Sequence, residues 1–193
     1  MEAFLISTGV VALGEIGDKT QLLALLLAAR FRKPVPIIAG IFVATVVNHF
    51  LAGWAGTLVA HWLGPQAMRW VLGVSFIAMA AWIMVPDKLD DDEARFNDSL
   101  GVFGATVLAF FLAEMGDKTQ IATVALAAKF QSLIPVVSGT TLGMLLADVP
   151  AVFIGDAMSK KLPLKLVHGI AALLFALLGL VVLFGVDASL FGG

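Results

Sequence analysis

The chain has 193 residues, 60% of them hydrophobic and 13% charged, with a mean hydropathy of +1.00 and a formal net charge of -2. Soluble domains carry about 45–50% apolar and about 25% charged residues, so both departures name lipid as the solvent, and no basic cluster suggests a nucleic-acid partner. Cysteine is absent. That removes disulfides, thiolate metal sites and cysteine nucleophiles together, and leaves oxygen or imidazole to hold any metal.

A membrane span needs roughly 20 mostly apolar residues. Met1-Glu2-Ala3 lacks the positive start of a secretory signal, so the first apolar segment reads as a retained span. Six segments qualify in chain order: 4–28, 35–60, 68–85, 101–127, 134–155 and 166–185. Arg30-Phe31-Arg32-Lys33-Pro34 closes the first and His61-Trp62-Leu63-Gly64-Pro65 the second. Pro86 through Asp98 separates the third from the fourth, and Lys129-Phe130-Gln131 and Ser159-Lys160-Lys161-Leu162-Pro163 divide the rest. Unbroken apolarity over such lengths predicts helices, because barrel strands are short and alternating. The predicted fold is an all-α integral membrane protein of six transmembrane helices.

The chain repeats itself at an offset of 99 residues. Glu15-Ile16-Gly17-Asp18-Lys19-Thr20-Gln21 returns as Glu114-Met115-Gly116-Asp117-Lys118-Thr119-Gln120, and Leu27-Ala28-Ala29-Arg30-Phe31 as Leu126-Ala127-Ala128-Lys129-Phe130. Pro36 meets Pro135, Gly40 meets Gly139, Gly56 meets Gly155 and Phe76 meets Phe175. Chance explains matching leucines; it does not explain a polar seven-residue motif twice inside hydrophobic segments. Three spans per half is an odd number, so the second half starts from the opposite side of the membrane, as in inverted-repeat transporters. The expected division is residues 1–85, a linker over 86–100, and residues 101–193.

Lysine and arginine set the orientation. Arg30, Arg32, Lys33, Lys88, Arg95, Lys160, Lys161 and Lys165 gather on one side, against Arg69 and Lys129 on the other. The positive-inside rule makes the first side cytoplasmic and puts both termini outside. Trp62 and Trp70 flank an outer loop as interfacial aromatics, with Trp82 at the inner end of its span.

Each motif places Glu, Asp and Lys deep in an apolar segment, where a charge costs roughly 2.5–3.5 kcal/mol on insertion scales. Glu15 and Asp18, three apart, are expected on one helical face, which Lys19, four from Glu15, can also reach. Gly17 and Gly116 weaken the helix there and let carbonyls turn toward a cavity. The inverted repeat is expected to bring both motifs together near the midplane, where four carboxylates and two ammonium groups leave the charge one divalent cation neutralises. With the hydroxyls of Thr20 and Thr119 and the amides of Gln21 and Gln120, the ligands are hard oxygens, suited to calcium, magnesium or manganese. A purely structural salt bridge is the plainer alternative, but two complete copies with surplus negative charge weigh against it.

On these motifs the chain resembles the family of small cation/proton exchangers defined by paired Glu-x-Gly-Asp-Lys-Thr motifs. Its members include bacterial manganese exporters and Golgi manganese/calcium exchangers. The resemblance implies that Glu15, Asp18, Glu114 and Asp117 are cation ligands, with Lys19, Thr20, Lys118 and Thr119 completing the matching positions. It also implies the ion, manganese or calcium, and the counter-ion, a proton; no tightly bound cofactor is expected. The expected activity is export of the metal across a bacterial inner membrane. A cation channel, or a membrane-embedded metal enzyme, would be built differently: the motif lysines weigh against an open pore, and arginines for phosphate are missing near the acids.

Asn48-His49 and Asp148 sit near mid-span, and His49 and Asp148 are again 99 apart. A histidine titrates near neutrality and an intramembrane carboxylate can join it, which makes a proton relay reasonable; a hydrogen bond between helices is the other reading. His61 and His168 lie near span ends and are expected at the interface. Gly139-x-x-x-Gly143, mirrored by Gly40-x-x-x-Ala44, serves close packing within the monomer or a homodimer contact. Asp90-Asp91-Asp92-Glu93 reads as a solvated loop, with a cation-gathering vestibule as the alternative. No segment resembles a nucleotide-binding loop, so ATP is not the expected energy source.

Overall fold

The structure, a computed structural model, describes residues 1–63, 65–85, 100–154 and 164–184. The acidic run over 90–93, Lys88, Arg95, Lys160, Lys161, Gly64, Gly155 and the break at 159–163 lie outside the described residues.

Among the described residues the chain is helical throughout: α1 (Glu2–Glu15), α2 (Lys19–Phe31), α3 (Pro34–Trp62), α4 (Pro65–Trp82), α5 (Gly101–Glu114), α6 (Lys118–Phe130), α7 (Leu133–Ile154) and α8 (Leu164–Phe184). The expectation of a single helix over 4–28, and again over 101–127, is corrected. Each is two helices, divided at Ile16-Gly17-Asp18 and at Met115-Gly116-Asp117. The reason is local: Gly17 takes φ +86° and Gly116 φ +77°, a left-handed backbone that ends a helix and that only glycine adopts at little cost. Three helices are long and apolar enough to cross a bilayer by themselves, Pro34–Trp62, Leu133–Phe153 and Lys165–Phe184. α2 and α6 end alike, at Arg32 and Gln131, both left-handed and both returning an N–H to the carbonyl four residues back.

Two apolar clusters form the interior. One joins Val10, Phe76, Met79, Ile83, Leu126 and Phe175, from α1, α4, α6 and α8. The other joins Leu23, Leu27, Ile41, Phe110 and Val152, from α2, α3, α5 and α7. The two halves interleave: α1 packs most extensively on α7, α5 on α3, and α4 on α8. Small residues allow the approach. A side chain at Gly40 would strike Thr106 and the Phe103 carbonyl, and one at Gly139 would strike the Phe4 carbonyl and Ser7. Those neighbours are themselves 99 apart, so the repeat in sequence is also a repeat in contacts. Gly143 faces the Thr8 carbonyl in the same way, so the glycine stripe is covered inside the chain and offers no face to a second copy. Phe76 and Phe175 touch, with ring centroids 6.2 Å apart. These two residues are themselves 99 apart in sequence.

Outside, Leu5, Phe50, Leu51, Trp54, Leu146, Phe153, Leu173 and Leu177 are exposed, along with Trp62 and Trp70. Aqueous surfaces do not carry so continuous an apolar coat. Inside lies the opposite: Glu15, Asp18, Asn48, His49, Glu114, Asp117, Lys118 and Asp148 are all at most 5% exposed.

Candidate metal centre

Each motif is built in the same way from its own sequence. A helix ends on the glutamate, glycine turns the chain, and the aspartate becomes the N-cap of the next helix, with its N–H bonded to the glutamate carbonyl at 3.0 Å for Asp18 and 3.1 Å for Asp117. Neither aspartate caps with its side chain, which leaves the carboxylate to other partners. The N3 residue does the capping instead. Gln21 Oε1 accepts the Gly17 N–H at 3.1 Å, and Gln120 Oε1 accepts the Gly116 N–H at 2.7 Å. This is the returning arm of a capping box, reaching one residue further back. The other end of each amide crosses to a neighbouring helix: Gln21 Nε2 donates to the Ala147 carbonyl at 3.1 Å and Gln120 Nε2 to Asn48 Oδ1 at 2.6 Å. Asn48 in turn donates to the Phe111 carbonyl at 3.0 Å.

Both glutamates are held by the threonine five residues on. Thr20 donates to Glu15 Oε2 at 2.6 Å, and Thr119 to Glu114 Oε2 at 3.0 Å and, more weakly, to Asp117 Oδ2 at 3.5 Å. The hydroxyls spend their proton on the carboxylate and keep lone pairs for a cation. Carboxylate oxygens of Glu15, Glu114 and Asp117 all lie within 4.8 Å of one another. Metal–oxygen bonds of about 2.1–2.6 Å place ligands on opposite sides of one ion at up to about 5 Å, so the three fit around a single divalent cation.

The spacing rule that put Glu15, Asp18 and Lys19 on one helical face does not operate, because no helix continues from 15 to 19. The charge pairing runs between motifs instead: Lys118 Nζ stands 3.6 Å from Asp18 Oδ1 and donates to the Val85 carbonyl at 3.1 Å. Lys118 is 3% exposed, whereas Lys19 is half-buried. His49 Nε2 lies 3.9 Å from Glu114 Oε2, and neither ring nitrogen has a hydrogen-bond partner among the described residues. Asp148 is fully buried with both oxygens in the same condition, within electrostatic reach of Glu15 and Glu114. Glu15 Oε1 also lacks a partner. Buried polar atoms without partners are rare and costly, and those of His49 and Asp148 belong to residues beside, or within electrostatic reach of, Glu114.

Sequence reasoning missed three contributors. The Val85 carbonyl carries no sequence signal, because any residue supplies one. His168, expected at the interface, bonds through Nε2 to the Ile16 carbonyl at 2.8 Å, at the first helix break; His61 is exposed. Gly14, whose Cβ would meet Ile83 and Thr119, brings the end of α4 against the motif.

The sequence model of a family described as "Divalent cation/proton antiporter GDT1" matches residues 3–91 and 102–189, two stretches that begin 99 residues apart. A Vibrio cholerae protein named "Putative manganese exporter" is 54% identical over 185 residues, covering 95% of this chain and 92% of the relative. "GDT1-like protein 5" of Arabidopsis thaliana is 25% identical, covering 93% and 94%. "GDT1-like protein 4" of Oryza sativa subsp. indica is 27% identical, covering 90% and 70%. No solved structure matches the chain.

Proposed function

The chain belongs to the GDT1 family of divalent cation/proton antiporters, and we propose that it exports manganese from the cytoplasm in exchange for protons through one pocket shared by its two motifs. The convergence of Glu15 from the first motif with Glu114 and Asp117 from the second carries this reading. An oxygen-only ligand set suits manganese or calcium, and the name of the Vibrio relative favours manganese. Exchange follows from charge. Carboxylates this close and this dry need positive charge beside them in every state, and metal and protons supply it by turns.

In this reading residues 1–85 and 101–193 are inverted repeats joined by the 86–100 linker. α1 with α2, and α5 with α6, each cross the membrane as one interrupted segment, giving six crossings. The paired contacts at offset 99 support it, as do the two matched family stretches. Both termini face outside and the basic loops face the cytoplasm of a bacterial cell, as the lysine and arginine count favours. Glu15, Asp18, Glu114 and Asp117 hold the ion, while Thr20 and Thr119 orient the glutamates and lend oxygen. Gln21 and Gln120, their Oε1 atoms taken by glycine N–H groups, brace the helix breaks rather than bind metal. His49 and Asp148 carry protons to and from Glu114. The halves rock to alternate the open side, and protons displace the metal outside.

Proteoliposomes test this reading. Manganese moving inward should alkalinise the lumen, an acidic lumen should drive manganese accumulation, and calcium and magnesium should be carried more slowly. Electrogenic manganese flux indifferent to a pH gradient would mean a channel and overturn the exchange.

A further inference from the structure

The two motifs share a backbone, yet their lysines differ. Lys118 is buried at the first position of α6, and its ammonium joins three elements: α6 itself, Asp18 at 3.6 Å, and the Val85 carbonyl just past the end of α4 at 3.1 Å. Carbonyls at the end of a helix carry partial negative charge, so both partners of Nζ are electronegative. This pairing also sorts the carboxylates. Glu15, Glu114 and Asp117 converge, and Asp18, held by the ammonium, is not among them.

We propose that Lys118 is an internal counter-cation that holds the end of α4 across the pocket. A divalent cation that draws Asp18 into its shell expels the ammonium and so frees α4. The inference rests on the single-pocket reading above. Lys118 acts as a positioning residue, since it never has to touch the metal. A metal ion and the ammonium on one carboxylate repel each other strongly where little water reaches, so metal at Asp18 weakens the ammonium's hold. When the ammonium leaves Asp18 it also leaves Val85, so metal binding and the release of α4 become one event. That gives the ion a differential affinity for two arrangements, which any ligand-driven conformational change requires.

Ile83 offers the readout. It is 2% exposed beside Gly14 at the end of α4, and the chain has no cysteine of its own. In purified protein carrying Ile83→Cys, a water-soluble maleimide should label slowly without manganese and several-fold faster with it. Lys118→Gln should bind manganese about tenfold tighter by calorimetry while transporting at least tenfold more slowly, and should label fast with or without metal. Lys118→Arg, which keeps the charge, should restore metal-dependent labelling. Unchanged or weaker binding in Lys118→Gln, or labelling of Ile83→Cys indifferent to manganese, overturns the proposal. If Lys118→Gln fails to fold, the labelling of Ile83→Cys with Lys118 intact decides alone. Should Glu114→Gln bind manganese as well as the parent, the shared pocket itself is wrong, a result separate from any failure of Lys118.

Discussion

The first motif and the second are the same seven-residue device in different surroundings. Around the first, Ile16 is half-buried, its carbonyl is taken by His168 of α8, and Ile83 at the end of α4 presses on Gly14. Around the second, Met115 is 57% exposed and Gly116 is exposed, and the end of α4 reaches only as far as the motif lysine, whose ammonium donates to the Val85 carbonyl. The local sequence therefore decides that the helix stops and where the carboxylate goes. The placement of α4 and α8 decides which break is covered and which lysine is buried. Near-identity in sequence yields symmetry of backbone and asymmetry of surroundings, and the proposed exchange through one pocket reached from one side at a time calls for both.

The largest expected effect tests whether the motifs serve one ion. Glu15→Gln and Glu114→Gln should each reduce manganese transport by about 100-fold or more, because losing one carboxylate leaves a desolvated divalent ion incompletely compensated. The double variant should be little worse than either single. Flux assays on the three decide it: near-half activity in each single, with only the double inactive, would mean two independent sites.

A second expectation separates the halves by the rigidity of what they touch. Gly139→Ala would drive its methyl into the Phe4 backbone carbonyl, which a helix cannot move aside. Gly40→Ala meets mainly the Thr106 side chain, at 2.7 Å, with the Phe103 carbonyl at 3.1 Å. Gly139→Ala should cost about 3 kcal/mol and Gly40→Ala about 1–2 kcal/mol, read as thermal unfolding of the purified protein. Equal losses would show that the α1–α7 and α3–α5 contacts yield alike.

The braces make a finer comparison. Gln120→Ala removes a 2.7 Å bond to the Gly116 N–H and a 2.6 Å bond to Asn48, while Gln21→Ala removes two bonds of 3.1 Å. Gln21→Ala, whose bonds are buried or part-buried, should destabilise by about 1–3 kcal/mol, and Gln120→Ala by less, because water reaches the exposed Gly116 N–H once its partner is gone. Unaltered manganese affinity in both would support their role as braces; a tenfold weaker affinity would return them to the ligand set.

Much of this was legible beforehand. Composition and long apolar runs gave the all-helical membrane class, and the 99-residue offset led to the expectation that Glu15 and Glu114 approach each other; it matched Phe76 to Phe175 in sequence without saying that the two rings touch. The helix breaks were only half legible. Gly17 and Gly116 signalled weakness, but the apolar pattern runs on through both, and a hydropathy reading cannot distinguish one long helix from two short ones. The cross-motif pair of Lys118 with Asp18 was hidden for a different reason. Spacing rules describe neighbours on one helix, and this ion pair joins residues 100 apart on two. Carbonyl partners such as Val85 and Ile16 were hidden altogether, because the backbone is the same at every residue.

The smallest effect expected concerns the cover itself. His168 Nε2 meets the Ile16 carbonyl at 2.8 Å in a half-buried setting, where the end of α1 leaves carbonyls without helical partners. His168→Ala removes that donor and should cost about 1 kcal/mol of stability, the net worth of one hydrogen bond where water reaches only in part. His168→Gln keeps a donor at similar reach and should recover most of the loss. The repeat supplies a control in Arg69, the residue at the corresponding position of α4. Among the described residues α4 has no packing on α5 comparable to that of α8 on α1, so Arg69→Ala should leave labelling of Met115→Cys unchanged. His168→Ala, by contrast, should raise thiol labelling of Ile16→Cys by a few-fold. If His168→Ala and His168→Gln lose stability equally, the ring acts by filling space rather than by its bond, and the difference in cover between the two breaks is a matter of packing alone.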